Sequence, residues 1–381
     1  MKYIKVLLIK LLALSCLIGA NLLQADEGLS LKAKGKETIE IRFNGRMQAQ
    51  YDGLSMDGKN DTNHFYFRRL FLGAKAKLSN GVYAESVFDF AGDESPEVAF
   101  DKAIIGYKFD NGVTGILGFQ KVPFGFEETT SSSKLATIER SAINRFFADD
   151  IDFSSRHMGL HAKGNLDNGF SYAWAIVNSA QGEGSKLGGA SNTINDIASY
   201  ARLQWKENDL TLGIDYGKQT SNTVTSKITD SKGIYNNVDY GKKNEVIEAN
   251  DVSAYTAYFN YKTDALNLLG EYFSGDLGSN GETDGYSIRA SYKSSKWEPV
   301  IRYSEVKSDY VIDSDELIRR APLGGEVDSG DNKIESLYFG LNYYYSKAVT
   351  FMAGYEDAES TSTGSDAAKI DGLRARVQVL W

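Results

Sequence analysis

The stretch "TIEIRFNGRMQAQY" alternates without a break: Ile39, Ile41, Phe43, Gly45, Met47, Ala49 and Tyr51 fall on one side, Glu40, Arg42, Asn44, Arg46, Gln48 and Gln50 on the other. A period of two over this length is a β-strand with one apolar and one charged face. The chain ends in the same way, with Leu373, Ala375, Val377, Val379 and Trp381 opposed to Arg374, Arg376 and Gln378. Further strands are expected near 64–78, 82–90, 99–109, 113–121, 156–163, 169–178, 199–205, 209–217, 253–261, 265–273, 284–292, 296–304, 334–344, 347–356 and 372–381. That makes about sixteen, and an even count is what single-chain transmembrane barrels require. The 23 Tyr, 19 Phe and 37 Gly against only 4 Pro favour strands and tight turns over helices.

The connections divide into two kinds. Short turns at 79–81, 110–112, 166–169, 206–209, 262–265 and 293–296 alternate with long polar stretches at 52–63, 91–98, 122–155, 179–198, 218–252, 274–283, 305–333 and 357–371. A soluble sandwich or propeller has no reason to gather every long loop at one end, whereas a transmembrane barrel has short periplasmic turns and long external loops. No repeat of fixed period supports a propeller. Tyr51, Phe109, Trp174, Trp205, Tyr216, Tyr261, Tyr272, Trp297, Tyr343 and Tyr355 fall near strand ends, where a girdle would meet headgroups, although any β core can place aromatics at its wet ends. The expected fold is all-β: a transmembrane antiparallel β-barrel of about 16 strands whose last strand closes on the first, so that no backbone edge faces lipid.

Residues 1–25 read as a secretory signal peptide: Lys2, Lys5 and Lys10 precede the apolar run Leu11 to Ala20, and small residues stand at Ala20 and Ala25. A lipoprotein site at Cys16 is disfavoured by Ala13, where a Leu is usual. Cys16 is the only cysteine, so the exported chain has no disulfide to hold it. Residues 26–36 are expected to be a short periplasmic segment and 37–381 the barrel. Formal net charge is −9, and −12 once the three leader lysines are gone, which argues against a nucleic-acid partner.

The alternation breaks longest at "KVPFGFEETTSSSKLATIERSAINRFFADDIDFSSRHMG", residues 121–159. With "FRRLFLGAKAKL" at 67–78, "FDFAGD" at 88–93, "GEYFSG" at 270–275, "WEPVIRYSEV" at 297–306 and "YFGLNYYYSKAVTFMAGY" at 338–355, the chain resembles the phosphate-selective porin O/P family over nearly its whole exported length. It departs at Thr137, where the resemblance implies an aromatic before "ER". The resemblance implies a trimeric, sixteen-stranded outer-membrane porin of a Gram-negative bacterium. It implies passage of phosphate-like anions and a long third external loop folded into the lumen. It also implies that the terminal Trp381 is read by the outer-membrane assembly machinery, with lipid and lipopolysaccharide as surroundings. No cofactor is expected and no enzyme activity.

The residues themselves lead the same way. A loop rich in hydroxyls and paired charges, with few apolar residues for a core of its own, needs a polar cavity; the bland alternative is a solvated external loop. Within it Glu127, Glu128 and Glu139 facing Lys134, Arg140 and Arg145 would set a transverse field, flanked by Lys121, Thr130, Ser131, Ser132, Ser141 and Arg156. Strand parity places Arg42, Arg46, Arg69, Lys75 and Lys77 on the lumen face, with Arg202, Arg289, Arg302, Arg374 and Arg376, diluted by Glu40, Glu85, Asp89, Asp215, Glu271 and Glu298. Arg68 matches the family's paired arginines, but adjacent strand residues point to opposite faces, so parity favours Arg69. Such arginines suit phosphate-like oxygens, yet they can equally pair with carboxylates to fill a polar interior.

Other chemistry is weak. "SSSK" at 131–134 lacks the companions of an acyl-enzyme site. His157 and His161 on a strand lie roughly 13 Å apart and cannot share a metal. The glycine-rich 181–192 lacks phosphate-loop spacing. The competing readings are a pore for small anions, a less selective pore for small hydrophilic solutes, and a surface scaffold or adhesin acting through 218–252 and 305–333.

Overall fold

A computed structural model describes residues 30–34, 38–58, 61–91, 98–179, 197–220, 251–312, 318, 331–361 and 367–381. The expected leader, the stretch 181–192 and most of 218–252 and 305–333 lie outside the described residues.

Among the described residues seventeen antiparallel strands form one sheet: β1 (Ser30–Lys34), β2 (Thr38–Met56), β3 (Thr62–Leu78), β4 (Val82–Asp89), β5 (Ala99–Lys108), β6 (Thr114–Lys121), β7 (Arg156–Asn165), β8 (Phe170–Asn178), β9 (Ile197–Glu207), β10 (Leu210–Gln219), β11 (Val252–Lys262), β12 (Leu266–Asp276), β13 (Glu282–Tyr292), β14 (Trp297–Ile312), β15 (Asp331–Tyr344), β16 (Val349–Thr361) and β17 (Ala368–Leu380). Each of β2 to β17 pairs with its sequence neighbours, and β17 returns to β2 from Ile370↔Met56 to Leu380↔Arg46, closing a sixteen-stranded barrel. Where β17 stops, β1 takes over the same edge of β2, pairing Ser30↔Arg42 through Lys34↔Thr38. The polar segment expected at 26–36 therefore contains a strand.

One rim carries turns of two to five residues; the other carries connections of five to 34. Two of the expected long stretches shrink to 57–61 and 277–281 because β2, β3 and β12 run past their expected ends.

Burial is inverted relative to a soluble protein. Arg374 and Arg376 are 1% and 2% exposed, while Leu373 and Val377 on the same strand are 60% and 38% exposed. Among the described residues thirty-four large hydrophobic side chains are exposed, including Phe109, Trp174, Tyr216, Tyr261, Tyr272 and Trp297 of the expected girdle. An apolar surface on that scale, costing about 25 cal/mol per Å2 in water, requires hydrocarbon around it. No helix among the described residues is long and apolar enough to span a bilayer; the strands do so, each paired to its neighbour on both sides around the ring.

The terminal Trp381 exchanges backbone hydrogen bonds with Gly45, at 2.9 and 3.2 Å. Its indole lies across the gap left by the missing side chain, so a Cβ on Gly45 would stand 2.3 Å from the ring. Gly45→Leu should therefore displace the indole and weaken closure by about 1–3 kcal/mol. Refolding into lipid vesicles, followed by heat-dependent electrophoretic mobility, should show a smaller folded fraction; an unchanged fraction would remove this contact from the closure.

Candidate functional site

The segment between β6 and β7 holds two helical turns, Phe126–Thr129 and Ala142–Arg145, the second running into a π-turn, Phe146–Asp150. Its backbone is tied to side chains on the interior faces of distant strands. Gly125 N–H donates to Asp215 of β10 at 2.9 Å, and Phe126 and Glu127 N–H donate to Glu271 of β12 at 2.6 and 3.1 Å. Arg302 of β14 donates to the Glu139 carbonyl at 2.7 Å and Asn342 of β15 to that of Ala136 at 2.8 Å. These bonds satisfy carbonyls and N–H groups that an irregular segment cannot pair within itself.

The segment also has the apolar core that its composition was expected to lack. Phe124, Ile143, Phe146, Phe147, Ile151 and Phe153 are fully buried in one cluster with Val177, Tyr200, Val252, Phe273, Val306 and Ile334 from the wall. Phe147 stacks on Phe273 with ring centroids 5.4 Å apart. The wall partners named here come from β8 to β15, the cluster reaches on to Met56 of β2, Ala358 of β16 and Ile370 of β17, and it shares the interior of these strands with the buried charges of Asp215, Glu271, Arg289 and Arg302. Thr137, standing where an aromatic was expected, is fully buried, and its hydroxyl has no partner among the described residues.

On the opposite side a cavity of about 500 Å3 remains. A β-bulge shapes it. Gln48 pairs with Arg69 and Ala49 with Phe67, leaving Arg68 as the extra residue of β3. The bulge turns both arginines inward, against the parity expectation. Arg68 bonds Glu139 at 3.0 Å and Arg69 donates to Gln48 at 3.0 Å. A second bulge, between Val87↔Lys102 and Phe88↔Phe100, leaves Asp101 as the extra residue, and both Asp101 and Lys102 reach the cavity.

Ten cationic side chains line the cavity against five carboxylates. Arg46, Arg68, Arg69, Lys121, Glu128, Thr130, Ser131, Ser132, Glu139, Arg140, Arg145 and Arg156 all line this cavity. The expected transverse field is replaced by ion pairs. Glu128 binds Arg140 at 2.9 Å and also Lys121. Glu139 binds Arg376 at 2.6 Å as well as Arg68. Glu127 faces Arg289 at 3.7 Å and accepts from Ser141 N–H at 2.9 Å, and Arg145 binds Asp149 at 3.1 Å. Burial works to raise the Glu139 carboxyl, but the guanidiniums of Arg68, Arg376 and Arg69 outweigh it and hold the group well below the usual carboxylate range. Burial is likewise outweighed at Glu128 by Arg140 and Lys121, which lower it.

Several expected residues lie elsewhere. Arg42 is largely exposed and bonded to Glu40 at 2.8 Å, Lys75 pairs with Glu85 at 3.6 Å, and Lys77 is exposed; all three lie on β2 and β3 toward the short-turn rim, outside the cavity. Lys134 is exposed, and Glu127 and Ser141 are buried away from the cavity. Of the wall arginines, Arg302 and Arg374 are taken up by Glu356 and Asp52, at 3.0 and 3.4 Å, and do not line the cavity. Arg202 reaches it while bound to Asp215 at 2.7 Å. Lys102, His161 and Lys163 line it without having been singled out as wall groups. Parity alone could have found Lys163 and His161; Lys102 needed the bulge.

A closed barrel with an apolar exterior and a charged cavity defines an outer-membrane channel. Residues 41–381 match the family described as phosphate-selective porin O and P, and the chain belongs to that family. It is an outer-membrane porin of the Gram-negative type. Porin O of Pseudomonas aeruginosa is 22% identical over 426 residues, covering 95% of this chain and 93% of that protein. Among solved structures, the outer-membrane channel DcaP of Acinetobacter baumannii matches with a TM-score of 0.64 at 11% identity, over 93% of this chain and 100% of that one. An anion-selective porin from Comamonas acidovorans matches with a TM-score of 0.61 at 12% identity, over 90% and 100%. OmpT of Vibrio cholerae in its trimer form matches with a TM-score of 0.59 at 14% identity, over 90% and 99%.

Proposed function

We propose that the chain forms a passive pore selecting small, phosphate-like anions, in which residues 122–155 cross the lumen and confine water to a passage along β2 to β7. The observation that carries this reading is the two-to-one excess of cationic over carboxylate side chains around the cavity. Diffusion down a gradient asks no catalysis of these residues. A second reading, a less selective pore for small hydrophilic solutes, draws on Asp89 and Asp101 along the same wall. The same proposal includes cleavage of residues 1–25 on export, recognition of Trp381 by the assembly machinery, a trimer embedded in lipid and lipopolysaccharide, and no role for nucleic acid. Trimerisation is supported by the family and by the trimer form of the Vibrio cholerae relative.

Recording in planar bilayers under a salt gradient tests the pore. The reversal potential should show anion preference, and added phosphate should depress chloride current. Arg69→Glu exchanges a cation at the cavity wall for an anion and should cut the anion-to-cation permeability ratio about fivefold, equivalent to about 1 kcal/mol. Cation preference in the natural protein would overturn the reading, and unchanged selectivity in the variant would take Arg69 out of the pathway. Absence of conductance would favour the surface scaffold.

A further inference from the structure

His161 stands on β7, five residues from Arg156 toward the short-turn rim, and its parity matches that of the inward-facing His157. It lines the cavity, is only 5% exposed, and its Nε2 has no hydrogen-bond partner among the described residues. A buried ring nitrogen left unbonded costs about 1–3 kcal/mol unless something entering the site supplies the bond.

Each carboxylate around the cavity already holds at least one partner. The carboxylates of Glu128, Glu139, Asp101 and Asp149 bind arginine or lysine, and Asp89 accepts the N–H groups of Leu70 and Ala91. The unbonded Nε2 stands among ten cationic side chains, and its chemistry depends on which ring nitrogen holds the proton. The ring's hydrogen-bonding contacts are with the backbone of Gly118 and His157. The neutral ring with its proton on Nδ1 presents Nε2 as a bare lone pair.

We propose that His161 is a specificity-determining residue of the pore: its Nε2 accepts a hydrogen bond from the hydroxyl of a protonated oxyanion, such as hydrogen phosphate, and so favours that class over oxyanions with no proton. Arginines and lysines cannot make this distinction, because they donate to any oxyanion. Sulfate matches phosphate in shape and charge but carries no hydroxyl at neutral pH, so it leaves the nitrogen unpaired. A site that offers an acceptor to a ligand hydroxyl rejects the analogue lacking it. No bond is made or broken and no proton is transferred; the anion passes on unchanged.

This inference rests on the anion-pore reading, and the test keeps the two apart. The full-length protein is reconstituted in planar bilayers at pH 7, the reversal potential is recorded, and chloride current is then titrated with inorganic phosphate and, separately, with sulfate. The natural protein should be inhibited at about tenfold lower phosphate than sulfate, the weight of one hydrogen bond. His161→Leu, close in volume but unable to accept, should bring the two inhibition constants together by weakening phosphate alone. His161→Gln, whose side-chain oxygen can accept, should retain part of the preference and guards against a variant that folds poorly. Cation preference in the natural protein would sink the pore reading itself. Anion preference with equal phosphate and sulfate inhibition, or loss of both to the same degree in His161→Leu, would overturn the role of His161 alone.

Discussion

Replacing Glu139 by glutamine should lower the stability of the folded barrel by about 3–5 kcal/mol and raise its anion preference. The Glu139 carboxylate accepts from Arg68 at 3.0 Å, Arg376 at 2.6 Å and Gln50 at 3.3 Å, and it is 6% exposed. Glutamine keeps the shape but removes the charge that neutralises two buried guanidiniums, and breaking a buried pair from one side leaves the other charge uncompensated. The lost negative charge lines the cavity, so permeation shifts further toward anions. Denaturant titration in lipid vesicles reads the first effect and the reversal potential the second. An unchanged midpoint together with an unchanged potential would show that the triad holds nothing.

The same geometry sets a pH dependence. The folded-state pKa of Glu139 is depressed well below its ordinary value, so its stabilisation is fully present above the unfolded pKa of about 4.3 and is lost only as pH falls through the lower folded value. The triad is thus expected to survive mild acid, and the glutamine variant should lose this part of its acid dependence.

How much could be read from the chain follows from which interactions are local. Alternation in Thr38–Met56 and Ala368–Leu380 reports directly on the two sides of a strand, because a side chain's face depends only on its own parity. The bulge at Arg68 breaks that rule, yet it leaves a trace: the outward aromatics Phe65 and Phe67 are followed by Leu70, a spacing of three where two is expected. Phe100 and Ala103 repeat the spacing around the Asp101 bulge. Reading those slips would have put Arg68 and Lys102 on the interior. The core around Phe147 leaves no such trace, since its partners Phe273 and Ile334 are more than a hundred residues away, each on an interior position that parity alone assigns to a polar lumen. The pairing of Glu139 with Arg376 across 237 residues is equally nonlocal, which is why the expected field turned out to be neutralised.

Phe147→Ala should then have the largest effect on conduction. The ring is fully buried and meets Phe146, Phe124 and Phe153 at centroid distances of 5.5, 5.6 and 5.9 Å, besides its stack on Phe273. Truncation to alanine removes about 3–5 kcal/mol of burial and contact. Most of that loss falls on the attachment of residues 142–153 to the wall, because the strands behind them remain paired through their backbones. The segment's polar ties to Asp215, Glu271 and Arg302 persist, so it loosens on one side without leaving the barrel. Water then gains space that the buried rings now occupy. Single-channel conductance should rise and the anion preference should fall, since the added space is bordered by Phe124, Phe153 and Phe273 and not by the cationic lining of the cavity. Phe147→Leu, which keeps most of the volume, should cost less than about 1.5 kcal/mol and leave conductance near that of the natural protein. Phe351→Ala, a lipid-facing residue 44% exposed, should leave it unaltered. Equal conductance in Phe147→Ala and Phe351→Ala would mean that the buried rings do not seal the pore, and the eccentric passage along β2 to β7 would have to be abandoned.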